Sequence, residues 1–66
     1  MRLTVNGASR EIPEDCRVAD LVATLTEARR GVAVAVNGEV VPRSAWAAAG
    51  LRDGDRVEVL TAAQGG

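Results

Sequence analysis

Two Asn-Gly pairs, Asn6-Gly7 and Asn37-Gly38, constrain this chain more than any other feature. A two-residue type I′ turn needs positive φ at both central positions, and Asn followed by Gly adopts that geometry at least cost. Each pair follows an alternating apolar run: Met1, Leu3 and Val5 before the first, Val32, Val34 and Val36 before the second. The segments "MRLTVNGASREI" and "VAVAVNGEVVP" therefore predict two β-hairpins. In the first, Val5 faces Ala8 and Leu3 faces Arg10. An arginine on the inward face suits an edge strand, where its aliphatic stem lies along the rim. Pro13 and Pro42 close the two hairpins.

Between the hairpins, "RVADLVATLTEARRG" places Val18, Leu21, Val22 and Leu25 at i, i+3, i+4 and i+7, one stripe of an α-helix. Asp20 falls in its first turn and Arg29-Arg30 in its last, with Gly31 at the C′ position. Arg17 stands where a capping Ser, Thr or Asp is usual. After the second hairpin, Ser44 is a candidate cap for a short helical turn around Trp46, and Asp53-Gly54-Asp55 predicts a tight turn. In the final strand, "RVEVL", Val57 and Val59 share one face, with Glu58 and Leu60 on the other. The order β-β-α-β-β-(short helical turn)-β specifies an α+β fold, one helix packed on one mixed sheet. Residues 1–66 form a single domain, with 61–66 expected as a flexible C-terminal tail.

Sixty-six residues lie near the lower size limit for an unstapled domain. One cysteine and no histidine exclude a disulfide framework and a cysteine/histidine zinc site. Aliphatic side chains must build the core around Trp46, the only aromatic residue. A net charge of −1, with no run of arginines, argues against nucleic-acid binding. No apolar stretch at the start has signal-peptide or membrane length, so a cytoplasmic location without membrane partners is expected.

Conventional catalytic constellations are missing. Without histidine there is no Ser/His or Cys/His pair, and no glycine-rich phosphate loop is present. Glu14-Asp15 and Asp53/Asp55 read as loop and turn residues. Cys16 precedes the helix beside Arg17, a weak version of the setting that activates a thiol, yet it lies among acidic neighbours and lacks a base. Ala33, Ala35, Val40 and Leu60 face away from the helix and make a modest apolar patch next to the strand leading into the tail. The tail ends Ala63-Gln64-Gly65-Gly66. Glycine permits close approach of other backbone or of a nucleotide. A partner using ATP could convert the Gly66 carboxylate to an acyl-adenylate, from which a sulfur nucleophile displaces AMP. That chemistry asks for no catalytic residue in the chain itself. Gly65, Gln64, Ala63, Leu60 and Val40 are then the candidate partner-binding residues.

Taken together, "AVNGEVVPRSAW", "LRDGDRVEVL" and the terminal Gly-Gly resemble the sulfur carrier family of thiamine biosynthesis (ThiS), over essentially the whole chain. The resemblance implies a β-grasp, ubiquitin-like fold. It also implies adenylation of Gly66 by a ubiquitin-activating-like adenylyltransferase and conversion to a thiocarboxylate. A cysteine desulfurase would be the ultimate sulfur source and thiazole synthase the acceptor, with no cofactor bound by the carrier. Arg43 and Trp46 match the family's loop motif and read as structural. Gln64 departs from the small apolar residues common before Gly-Gly in this family. Other readings are a sulfur carrier for molybdopterin synthesis, usually longer and richer in phenylalanine, a ubiquitin-like protein modifier, or a purely structural β-grasp module.

Overall fold

Both Asn-Gly pairs adopt the positive φ that their composition demands, with Asn6 at 50° and Gly7 at 83°, and Asn37 at 51° and Gly38 at 86°. A computed structural model describes residues 1–28 and 30–62 of the chain. The first turn joins β1 (Arg2–Val5) to β2 (Ala8–Glu11), in the register Val5 opposite Ala8 and Leu3 opposite Arg10. All four residues of β2 are exposed, as befits an outer strand, and Arg10 lies there in contact with solvent. The second turn joins β3 (Val32–Val36) to β4 (Glu39–Val40).

The last strand, β5 (Arg56–Thr61), enters the middle of the sheet, giving the order β2-β1-β5-β3-β4. It runs parallel to β1 and antiparallel to β3, so the sheet is mixed. A parallel pair needs a crossover, and that crossover contains α1 (Val18–Leu25). One helix packed across a five-stranded mixed sheet matches the element order read from the sequence and the β-grasp fold that the family resemblance implies.

The core forms where the apolar faces meet. Leu3, Val5, Val34, Val57 and Val59 from the sheet bury against Val18, Leu21 and Val22 of the helix. Trp46 and Leu51, on the connection from β4 to β5, close the side. Trp46 follows a short 3-10 turn (Arg43–Ala45) and donates its indole Nε1–H to the Val41 carbonyl at 2.9 Å. The Arg43 guanidinium stacks 5.1 Å from the ring centroid. Both residues are structural, as read from the sequence. Ser44, expected as a cap, instead lies inside the 3-10 turn. Pro42 precedes that turn and supplies a carbonyl to Ala45 N–H at 2.8 Å.

The helix ends differ from expectation, each for a physical reason. At the start, Arg17 does take the N-cap position, and Asp20 reaches back to accept its N–H at 3.0 Å. The next two orphan donors bond to another part of the chain. Val18 N–H donates to the Ala49 carbonyl at 2.9 Å, and Ala19 N–H to the Trp46 carbonyl at 3.1 Å. A neighbouring backbone therefore does what a side-chain cap does elsewhere. At the other end, the helix stops at Leu25 because Thr26 turns extended, with φ −155°, and its hydroxyl accepts Ala28 N–H at 3.0 Å. Arg30 lies beyond the last turn rather than in it, and Arg29 lies outside the described residues. Gly31, at φ 72°, serves the entry to β3 instead of a helix C′.

The Asp53-Gly54-Asp55 turn is tied to β1. Asp53 accepts Arg2 N–H at 2.6 Å, Gly54 N–H donates to the Arg2 carbonyl at 2.8 Å, and Asp55 accepts Arg52 N–H at 2.8 Å. Thr61 and Ala62, assigned to the tail by the sequence, belong with the sheet. Thr61 pairs with Val32 in β5, and Ala62 N–H donates to the Gly31 carbonyl at 2.7 Å. Ala63, Gln64, Gly65 and Gly66 lie outside the described residues.

Trp46 combines core volume with a hydrogen bond that fixes the loop supplying the helix cap. We predict that Trp46→Ala costs about 3–5 kcal/mol, the usual range for deleting a buried aromatic. Urea unfolding followed by circular dichroism checks this, and a loss below about 1 kcal/mol contradicts the packing described.

Candidate functional site

The strand alternation that buries one face of the sheet leaves the other open, and this open face is divided. Arg2 and Thr4 of β1, with Glu11 and Ser9 opposite them on β2, make its polar half. Arg56 of β5 pairs with Thr4 and continues that half. Across β5 the character changes. Leu60 lies opposite Ala33, and Val40 lies opposite Ala35. Val40 is 76% exposed and Leu60 69%, the two large hydrophobic side chains most open to solvent among the described residues. They line a shallow groove of about 470 Å³ together with Ala33, Ala35, Asn6 and Glu58. The sequence-derived patch of Ala33, Ala35, Val40 and Leu60 is thus one contiguous surface. Contiguous apolar surface beside polar residues is a common mark of a contact site.

The patch adjoins the end of β5. Leu60 is followed by Thr61, paired to Val32, and Ala62, bonded to Gly31. Gly31, Val32, Ala33, Leu60, Thr61 and Ala62 border a second shallow depression there. Of the six residues singled out as a site, the structure brings Val40 and Leu60 together on this face. Ala63, Gln64, Gly65 and Gly66 lie outside the described residues.

Two site-shaping residues escape a sequence reading that treats them only as turn formers. The Asn6 side chain accepts Val59 N–H at 2.8 Å and donates to the Val59 carbonyl at 3.2 Å. Asn37 accepts Arg56 N–H through its side chain at 3.0 Å, donates its own backbone N–H to the Arg56 carbonyl at 2.7 Å, and donates its amide to Asp55 at 3.0 Å. Each asparagine of the two turns therefore braces β5, one from either side. The available signal was the choice of asparagine, whose amide both donates and accepts, at both turns.

No side-chain cluster in the body resembles a catalytic centre. Among the described residues no group of three or more His, Cys, Asp or Glu converges, and no polar or charged residue is buried. Cys16 departs from the activated-thiol setting. Burial raises its pKa first, and the charges of Asp20 and Asp15 push it further in the same direction. Arg17, the neighbouring cation, turns its guanidinium to the Ala48 carbonyl at 3.1 Å. No helix among the described residues is long and apolar enough to cross a membrane.

Comparison with known proteins settles the family. The sequence model of the ThiS family matches residues 3–66, which includes the apolar half of the open face and the terminal glycines. The chain belongs to the ThiS family. A crystal structure of the thiamine biosynthesis protein ThiS from Geobacter metallireducens superposes with a TM-score of 0.80 at 41% identity, covering 92% of this chain and 93% of that one. The sulfur carrier protein ThiS of Escherichia coli K12 is 29% identical over 66 residues, the full length of both chains. A thiazole synthase of Paramagnetospirillum magneticum is 36% identical over the same 66 residues, and this ThiS-family chain spans 20% of that protein's length.

A raised thiol pKa means less thiolate at any given pH, and the thiolate is the reactive form. We predict that Cys16 alkylates more slowly at pH 8 than a free cysteine peptide and speeds up once urea unfolds the domain. Timed iodoacetamide labelling read by mass spectrometry checks this; labelling as fast as the peptide contradicts the setting described.

Proposed function

We propose that this chain is the sulfur carrier of thiamine biosynthesis and that its reactive group is the Gly66 carboxylate. The carrying observation is that the family match runs through to Gly66, while the body of the domain offers no reactive centre of its own among the described residues. The body has a different task. It presents an apolar docking face beside the end of the strand that leads toward the glycines. From Ala62, four residues span at most roughly 14 Å, far enough to enter a partner's active site while Leu60 and Val40 rest outside it.

The chemistry is supplied by partners. A ubiquitin-activating-like adenylyltransferase binds ATP, and the Gly66 carboxylate oxygen attacks the α-phosphorus with release of pyrophosphate. The carbonyl carbon of the acyl-adenylate then accepts the terminal sulfur of a persulfide, supplied ultimately through a cysteine desulfurase, and AMP leaves. A thiol reductant then splits the S–S bond of the acyl disulfide and releases the persulfide's carrier as a thiol. The resulting thiocarboxylate carries its sulfur to thiazole synthase. The family's glycines favour each transfer because no Cβ obstructs the approach of nucleotide or nucleophile. That a thiazole synthase contains a segment similar to this whole chain supports the last of these partnerships. The location expected for such a carrier is the cytoplasm.

Complementation tests the pathway. The chain should restore thiamine-independent growth to a bacterium lacking its own thiamine sulfur carrier, and should not restore molybdenum-cofactor synthesis. Rescue of the second strain alone overturns the thiamine assignment. Deleting Gly66 should abolish rescue while leaving the thermal midpoint unchanged, because terminal residues contribute little to stability. Leu60→Thr keeps a β-favouring residue but removes apolar contact area. We predict that it weakens thiazole synthase binding about tenfold or more, in line with ~1.5–3 kcal/mol for a buried leucine. Isothermal titration reads the change, and unaltered affinity removes Leu60 from the docking face.

A further inference from the structure

The backbone ladder between β1 and β5 is short. It joins Thr4 to Arg56 and Val5 to Val57, with Thr4 N–H donating to the Asp55 carbonyl and Asn6 N–H to the Val57 carbonyl. At Asn6 the chain turns away into β2, so β1 has no further backbone to offer. On the other side, β3 continues to support β5 as far as Thr61. Beyond Val57, then, β5 would be held on one side only. The Asn6 side chain fills this gap, because its amide takes both the N–H and the carbonyl of Val59, as one more strand residue would. Asn6 also lines the groove that holds Leu60, Ala33 and Val40.

We propose that Asn6 is a positioning residue for transfer: its amide extends the two-sided support of β5 to Val59, fixing Leu60 and the exit of the chain where a partner engages them. The inference rests on the sulfur-carrier reading and adds to it a residue outside the terminal segment. The Asn6 amide bonds to the Val59 backbone. Its effect passes through the β5 backbone.

The turn role and the bracing role of Asn6 separate cleanly by substitution. Asn6→Gly keeps the positive φ that the turn needs, since glycine adopts it freely, and removes the brace. Asn6→Asp retains the acceptor for Val59 N–H but loses the donor to its carbonyl. Two readouts apply to each full-length variant. Amide hydrogen exchange by NMR should show Val59 opening on the order of tenfold faster in Asn6→Gly, with the Leu3 and Val5 amides unchanged. Pyrophosphate release by an adenylating enzyme should show KM for the carrier rising about tenfold with kcat little altered, the pattern of lost uniform binding. Asn6→Asp should fall between Asn6→Gly and wild type in both. A folded Asn6→Gly chain with wild-type KM overturns this proposal alone. A wild-type chain that elicits no pyrophosphate release, from an enzyme active on its own carrier, overturns the sulfur-carrier reading and this proposal with it.

Discussion

The structure depends on the placement of β5, the last strand in the sequence and the central one in space. Every other strand forms locally with its hairpin partner, and only β5 joins the two hairpins into one sheet. Val57 and Val59 carry its contribution to the core, and both are buried. Its backbone is held from the β1 side by the ladder and Asn6, and from the β3 side by the ladder and Asn37. A net hydrogen bond of about 0.5–1.5 kcal/mol is modest alone, but several along one strand are comparable with the whole stability of a small domain. The residues after β5 thus follow a strand that is braced from both sides as far as Val59 and by β3 alone to Thr61.

A division of labour follows from that arrangement. The helix side of the sheet is devoted to stability, filled by aliphatic residues, Trp46 and Leu51. The open side carries an exposed apolar half at Leu60, Ala33, Ala35 and Val40 beside the end of β5, the face proposed for docking. A chain this short cannot house a preorganised catalytic pocket beneath its surface, since nearly all its interior volume goes to the core. In the proposed function, a reactive group carried on the terminus leaves the chemistry to larger partners. Cys16, the single thiol, sits where burial and two aspartates disfavour its ionisation.

Much of this was legible in the sequence because short-range rules governed it. The Asn-Gly pairs dictated both hairpins and the register of the first, alternation assigned Val57 and Val59 to the core and Leu60 to the open face, and Trp46, as the only aromatic residue, was expected in the core. Most of what escaped depends on groups distant in the chain, the early end of the helix being a local exception. The helix start looked poorly capped because its caps are the carbonyls of Trp46 and Ala49. The helix looked longer than it is because the Thr26 hydroxyl captures Ala28 N–H and ends it early. Thr61 and Ala62 looked like tail because the carbonyl that holds Ala62 belongs to Gly31, on another strand. The two asparagines were read for their backbone geometry alone, while their amides bond to residues 53 positions away for Asn6 and 19 for Asn37. For the candidate site, alternation pointed to Val40 and Leu60, which the structure brings together, while Gly66 was singled out from the chemistry of the terminal glycines and from family resemblance and lies outside the described residues.

The central claim is that the reactive group of this protein is its terminal carboxylate and that the folded body exists to deliver it. Intact-mass spectrometry tests this most directly, after incubation with a ThiS-activating enzyme, ATP and a sulfur source. A gain equal to the exchange of one oxygen for one sulfur, localised to Gly66 by fragmentation, is the predicted result. An unchanged mass with an enzyme shown to be active, or a sulfur gained at Cys16 instead, would contradict it.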